Sequence, residues 1–168
     1  VYDEKIQRIL PETDFPLESA QVLDARGCYI APGLINLHVH GCGGFDTMDA
    51  NIPALRAMQK LLPETGVTAF LPTTMTVAWE DLYKSLENIR EAMQKPGEGA
   101  QILGAHMEGP FISEAYKGAQ AGTHIEMAAY SRIAPFADII RVLTVAPECI
   151  KDKKSFISAC RQEGILVS

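Results

Sequence analysis

The amino-acid sequence predicts an α/β fold, a (β/α)8 TIM barrel of which about strands 1–5 are present, preceded by the remnant of a small β-domain. Three observations carry this expectation. From Cys28 onward, short apolar strands alternate with amphipathic helices, the pattern of a parallel sheet covered by helices. Polar residues stand at several strand ends, at His38/His40, Thr73/Thr74, Glu108 and Glu148, which is where a barrel displays its active site. A doubly wound sheet is the competing architecture. It would favour Gly-x-Gly-x-x-Gly after the first strand, and Gly41-x-Gly43-Gly44 has the wrong spacing.

Residues 1–30 are assigned to the β remnant and 31–168 to the barrel. Val1 to about Gly27 reads as β-hairpin material, with a polar turn at Asp3-Glu4-Lys5 and a loop from Pro11 to Pro16. Asp24-Ala25-Arg26-Gly27 has Asp first and Gly fourth, as a type I turn prefers. The first barrel strand is Leu34–His40. A helix from about Ile52 to Leu62 follows, with Asn51 as N-cap, Pro53 in its first turn and a buried stripe of Leu55, Met58, Leu61 and Leu62. After Gly66, Val67–Leu71 is rich in β-formers.

The clearest helix spans Trp79 to about Lys95, with Leu82, Leu86, Ile89 and Met93 at helical spacing. Glu80 and Asp81 near its start and Lys95 at its end match the helix dipole, and Pro96-Gly97 stops it. Ile102–Glu108 is the third strand, halted by Gly109-Pro110. A weaker helix is expected between about Glu126 and Ile133, then a strand at Val142–Val145 broken by Ala146-Pro147-Glu148. A short helix at Ser155–Gln162, capped by Gly164, leads to a fifth strand, Ile165–Ser168. Five strands do not close a barrel and would leave an apolar edge open, so the sequence is expected to be part of a longer protein.

Composition narrows the class. Apolar residues make up 47% of the 168 and charged residues 21%, which is ordinary for a soluble globular protein and argues against disorder. A net charge of −6 weighs against a nucleic-acid or anionic-membrane partner, while glycine loops can still bind an anionic small molecule through backbone N–H groups. No apolar run approaches the roughly 20 residues that span a bilayer. Cys28, Cys42, Cys149 and Cys160 form no Cys-x-x-Cys pair, which disfavours a zinc knuckle or a disulfide framework and suits a reducing cytoplasm. Val1-Tyr2-Asp3-Glu4-Lys5 is charged and does not read as a secretory signal.

The chemistry concentrates at two strand ends. Alternation puts Asn36, His38 and His40 on one face of the first strand and Ile35, Leu37 and Val39 on the other. Two imidazoles at i and i+2 on a strand can reach one metal ion, although His-x-His alone is as readily a hydrogen-bonded pair. Glu108 shares a face with His106, and Gly109-Pro110 turns the chain so as to present the carboxylate. A carboxylate at one strand end with two histidines from another is a metal-site constellation, whereas only parity ties His106 to a metal. Cys42 reads as a small buried thiol, Thr73 and Thr74 as partners for loop backbone groups, and His124 as a solvated loop residue. Glu148 has no evident role.

Pro32-Gly33-Leu34-Ile35-Asn36-Leu37-His38-Val39-His40-Gly41 resembles the first-strand signature of the amidohydrolase superfamily. His106-Met107-Glu108-Gly109-Pro110-Phe111-Ile112 and Tyr116-Lys117-Gly118-Ala119-Gln120 narrow the likeness. With Gly41-Cys42-Gly43-Gly44, Leu71-Pro72-Thr73-Thr74 and Leu143–Glu148, they resemble the N-acetylglucosamine-6-phosphate deacetylase family over essentially the whole chain. The resemblance implies metal-dependent hydrolysis of the acetamido group of N-acetylglucosamine 6-phosphate, giving glucosamine 6-phosphate and acetate.

It further implies a β-sandwich as the small domain and Glu108 as a ligand of the catalytic divalent ion, zinc, iron or similar. His38 and His40 allow a second, so one or two ions are expected, and Ala119 and Gln120 would contact substrate. The remaining metal histidines and the proton-transferring aspartate are expected beyond Ser168, so no catalytic residue is assigned here and the chain alone is expected to be inactive. The full-length enzyme is expected as a cytoplasmic homodimer acting on a sugar phosphate. Asn36 stands where the superfamily usually has Asp. The alternatives are another amidohydrolase, acting on a cyclic amide or as a deaminase, and a non-catalytic barrel-derived binding module.

Overall fold

The computed structural model describes residues 8–11, 23–95 and 97–168. The chain divides into two compact units, Val1–Pro32 and Gly33–Ser168. Most of the hairpin expected over residues 1–27 lies outside the described residues. The turn that is described sits one residue later than expected. The Cys28 N–H donates to the Ala25 carbonyl at 2.9 Å, and Gly27, at φ 82°, takes the third position, where type II turns place glycine. Asp24 stays outside the turn because its carboxylate accepts the Arg26 N–H at 3.0 Å and pairs with the Arg26 guanidinium.

In chain order the second unit runs β1 (Leu34–Val39), a hairpin of β2 (Gly41–Cys42) and β3 (Phe45–Asp46), α1 (Ile52–Leu61), β4 (Val67–Pro72) and α2 (Trp79–Gln94). It continues through β5 (Gln101–Ile102), β6 (Ala105–Glu108), α3 (Tyr130–Ile133), β7 (Ile140–Thr144), α4 (Lys153–Gln162) and β8 (Leu166–Val167). β1, β4 and β5 form one parallel sheet, and β6, β7 and β8 form another. A parallel bridge between Thr73 and His106, with the Thr74 N–H on the His106 carbonyl at 3.0 Å, joins β4 to β6. The strands therefore follow one another in sequence order, which a doubly wound sheet, with its reversal of strand order, does not do. Among the described residues the arc of strands stays open, with β1 at one edge and β8 at the other.

The expected third strand is divided. Gly104, at φ 150°, interrupts it, and a Cβ there would lie 2.5 Å from the Ile139 carbonyl oxygen. The break changes partners: Leu103 donates to Phe70 at 3.1 Å on the β4 side, and Ala105 donates to Ile139 at 2.8 Å on the β7 side. The expected Glu126–Ile133 helix shrinks to α3. Upstream of it, Ala129 is extended at φ −135° and ψ 115°, and the Glu126 and Ala128 N–H groups donate to the carbonyls of Pro110 and Cys149.

α1 begins as its sequence requires, with the Asn51 side chain accepting the Ala54 N–H at 2.9 Å. α4 starts two residues earlier than expected, because the Asp152 carboxylate accepts the Ser155 N–H at 3.1 Å. Pro96, half of the stop expected after α2, lies outside the described residues. Leu55, Met58, Leu82, Leu86 and Ile89 from the two long helices pack with Phe70, Met107, Ile140 and Leu143 from the strands, all fully buried. Leu61 and Met93, at the margins of the expected stripes, are half-buried. On β6, Ala105 and Met107 enter this core, so His106 and Glu108 project from the opposite face. Leu34, Ile35 and Leu37 on β1 are exposed. No described helix is long and apolar enough to cross a membrane.

Candidate metal centre

β1 delivers His38 and, one residue past its end, His40. The strand end is bound to the start of the loop after β4. Val39 N–H donates to Thr73 Oγ1 and Thr73 N–H to the Val39 carbonyl, both at 2.9 Å. Thr73 thus serves backbone groups, as expected, whereas the buried Thr74 hydroxyl, for which the same was expected, has no hydrogen-bond partner among the described residues. Asn36 accepts the His38 N–H at 3.0 Å through Oδ1. Beyond His40 the chain folds straight back as the β2–β3 hairpin, whose two-residue loop is Gly43-Gly44 at φ 61° and 84°, the consecutive positive values of a type I′ turn.

Glu108 ends β6, and its carboxylate reaches the two imidazoles. Its Oε2 lies 3.0 Å from His40 Nε2 and 3.5 Å from His38 Nε2, and the two Nε2 atoms are 3.1 Å apart. His38, His40 and Glu108 form a group able to hold a metal ion. The hydrogen bonds show why a cation suits it. His40 Nδ1 sits 3.1 Å from the Thr73 carbonyl, which only accepts, so Nδ1 carries a proton. Nε2 is then the ring nitrogen turned to the Glu108 carboxylate, and in a neutral ring its lone pair and the carboxylate oxygen are two donors for one cation. Two atoms each about 2.0–2.2 Å from a common ion stand about 3–3.5 Å apart at octahedral or tetrahedral angles, and the triangle has those dimensions. Two imidazoles and a carboxylate are donors that zinc and ferrous iron both accept.

His106 is placed differently. It is buried, its Nδ1 donates to the Leu37 carbonyl at 2.7 Å, and its Nε2 accepts from the Thr144 hydroxyl at 2.8 Å. Both nitrogens are committed, and burial pushes the imidazole below its ordinary pKa range. Its ring meets the His38 ring edge-on, with centroids 4.8 Å apart. His106 therefore ties β1, β6 and β7 together and props His38, without a free ring nitrogen of its own.

Gln120 is buried beside Glu108, whereas Ala119 is exposed. The Gln120 amide donates to Glu108 Oε2 at 2.9 Å, a link that the twelve-residue separation in sequence does not announce. Thr144, opposite Glu108 in the β6–β7 register, was equally hidden, though strand alignment could have paired them. Cys42 is half-buried, and burial pushes its thiol up, away from the thiolate a metal needs. His124, expected to be solvated, is half-buried in a short 3-10 turn, Gly122–His124. Glu148 is exposed, and a hydrogen bond from Ser113 holds its carboxyl below the usual range.

No protein-family model matches the chain. It is 34% identical over 155 residues to the N-acetylglucosamine-6-phosphate deacetylase of Bacillus subtilis, covering 88% of this chain and 39% of that protein. It is also 34% identical over 123 residues to the N-acetylgalactosamine-6-phosphate deacetylase of Escherichia coli O157:H7, covering 71% of this chain and 33% of the relative. The crystal structure of the N-acetylglucosamine-6-phosphate deacetylase from Pasteurella multocida superposes with a TM-score of 0.84 at 30% identity, over 95% of this chain and 42% of that one. The chain thus resembles these deacetylases along most of its length, and it spans about two-fifths of the length of the first of them.

Proposed function

We propose that the chain is part of a metal-dependent deacetylase that hydrolyses the acetamido group of N-acetylglucosamine 6-phosphate to glucosamine 6-phosphate and acetate. The observation that carries this reading is the His38–His40–Glu108 triangle, found in a chain that superposes on a deacetylase of that name at a TM-score of 0.84. In this reading the open arc of parallel strands is the first part of a (β/α)8 barrel, and residues 1–30 belong to a small β-sandwich. The site holds one or two divalent ions through Glu108, His38 and His40. A bound ion would supply polarisation of the amide carbonyl and a more acidic water. The chain's own residues fix the donors: Thr73 sets the His40 tautomer, His106 backs His38, and Gln120 holds Glu108. Ala119, exposed beside the site, contacts substrate together with Gln120. The proton-transferring group comes from the part of such enzymes that this chain does not span. The whole enzyme is a cytoplasmic homodimer.

The test uses the full-length protein and measures acetate released from N-acetylglucosamine with and without the 6-phosphate. Release from the phosphorylated sugar alone is expected, and no release from either overturns the proposal. The relative named for N-acetylgalactosamine 6-phosphate makes the C4 epimer the informative second substrate. A protein that purifies with less than one divalent ion per chain would instead be a non-catalytic barrel-derived module. Hydrolysis of a cyclic amide or deamination of a base would mark another amidohydrolase.

A further inference from the structure

Gln120 follows Glu108 by twelve residues, beyond the 3-10 turn Glu114–Tyr116, and its side chain is only 7% exposed. The amide has a single satisfactory orientation. Its Oε1 lies 2.7 Å from the Thr76 backbone nitrogen, which can only donate, so the NH2 group points the other way. There it meets Glu108 Oε2 at 2.9 Å, an atom that as carboxylate can only accept, and lies 3.6 Å from Met75 Sδ. The backbone beneath is fixed as well: Gln120 N–H donates to the Lys117 carbonyl, and Lys117 Nζ donates to the Gln120 carbonyl, both at 3.1 Å. The oxygen that Gln120 grips is the one facing His38 and His40.

We infer that the Gln120 side chain is a positioning residue of the metal centre, setting the rotation of the Glu108 carboxylate. This rests on the metal-centre reading above. Each end of the amide has a partner, so the side chain is held in the orientation that grips the carboxylate. Hydrogen-bond partners of metal ligands fix ligand orientation, and their loss typically costs about 10–100-fold in metal affinity.

Zinc titration of the metal-free full-length protein against a competing chelator tests the inference. Gln120→Met, similar in length and without hydrogen-bonding ends, is expected to weaken zinc binding by about 10–100-fold. The visible absorption of the cobalt-substituted variant should change as well, because the carboxylate no longer presents the same geometry. Should Gln120→Met not fold, Gln120→Asn, whose amide is a methylene too short to hold Thr76 and Glu108 together, carries the same expectation. A variant that binds zinc as the wild type does, with a raised KM for the sugar phosphate, overturns the inference and makes Gln120 a substrate contact. A wild type that binds zinc tightly yet releases no acetate overturns the deacetylase reading and leaves the Gln120 result standing on the metal data. A wild type that binds no zinc overturns both.

Discussion

Replacing His106 by Phe keeps a ring of similar size and removes two hydrogen bonds, to the Leu37 carbonyl at 2.7 Å and to the Thr144 hydroxyl at 2.8 Å. Leaving a buried polar partner unpaired costs about 1–3 kcal/mol, so two partners would cost about 2–6 kcal/mol. Leu37 is exposed, however, and its carbonyl can turn to water, which brings the expected loss down to about 2 kcal/mol. With a urea m-value of about 2 kcal/mol/M, that is a fall of about 1 M in the denaturation midpoint. Thr144→Val alone should cost about 1 kcal/mol, and it should cost almost nothing further in the His106→Phe background, because the two residues share one bond. A His106→Phe midpoint within about 0.2 M of wild type, or strictly additive losses in the pair, would refute the assignment of His106 as a tie between three strands.

Glu108→Ala should lower bound divalent metal, measured by mass spectrometry, and deacetylase activity together; full activity in a metal-replete variant would mean that another group is the ligand. Asn51→Ala removes the N-cap of α1 and should cost about 1 kcal/mol in chemical denaturation without altering metal content. Arg90 hydrogen-bonds Asp138 through two nitrogens and holds its carboxyl below the usual range. Its contribution is therefore present above the unfolded pKa of about 3.9 and is lost as pH falls through the lower folded value. Because Asp138 is largely exposed, the amount is below about 1 kcal/mol. Asp138→Asn should flatten stability against pH between about 5 and 3, and an unchanged slope there would show that the pair is not coupled to folding.

Sequence patterns revealed most of the fold wherever a local rule had no competitor. Asn51, Pro53 and the stripe through Leu55 and Met58 place α1 almost to the residue, and the alternation of His38 with Leu37 puts the imidazoles on the face where they are found. The errors lie where tertiary partners outbid local preference. The segment from Glu126 to Ala129 has helical composition, but the Glu126 and Ala128 N–H groups tie it to Pro110 and Cys149 in a conformation that leaves Ala129 extended at φ −135° and ψ 115°. The strand from Ile102 to Glu108 is continuous in hydrophobicity, yet Gly104 breaks it where the backbone of Ile139 comes close. The site divides in the same way. Residue type and parity brought out His38, His40 and Glu108. Parity also offered His106, whose real partners, Leu37 and Thr144, are set by strand register. Nothing in the spacing of Gln120 says that it grips Glu108.

The donors of the candidate metal centre lie at the ends of β1 and β6, with β4 between them, and β1 has a hydrogen-bonded strand neighbour on one side only among the described residues. An ion held there would act as a clasp across three strands, fastening the one with the fewest ties. Metal exchange and the fraying of β1 would then be the same event seen from two sides. The amide proton of Val39, bonded to Thr73 Oγ1 at 2.9 Å, would exchange more slowly as free zinc rises.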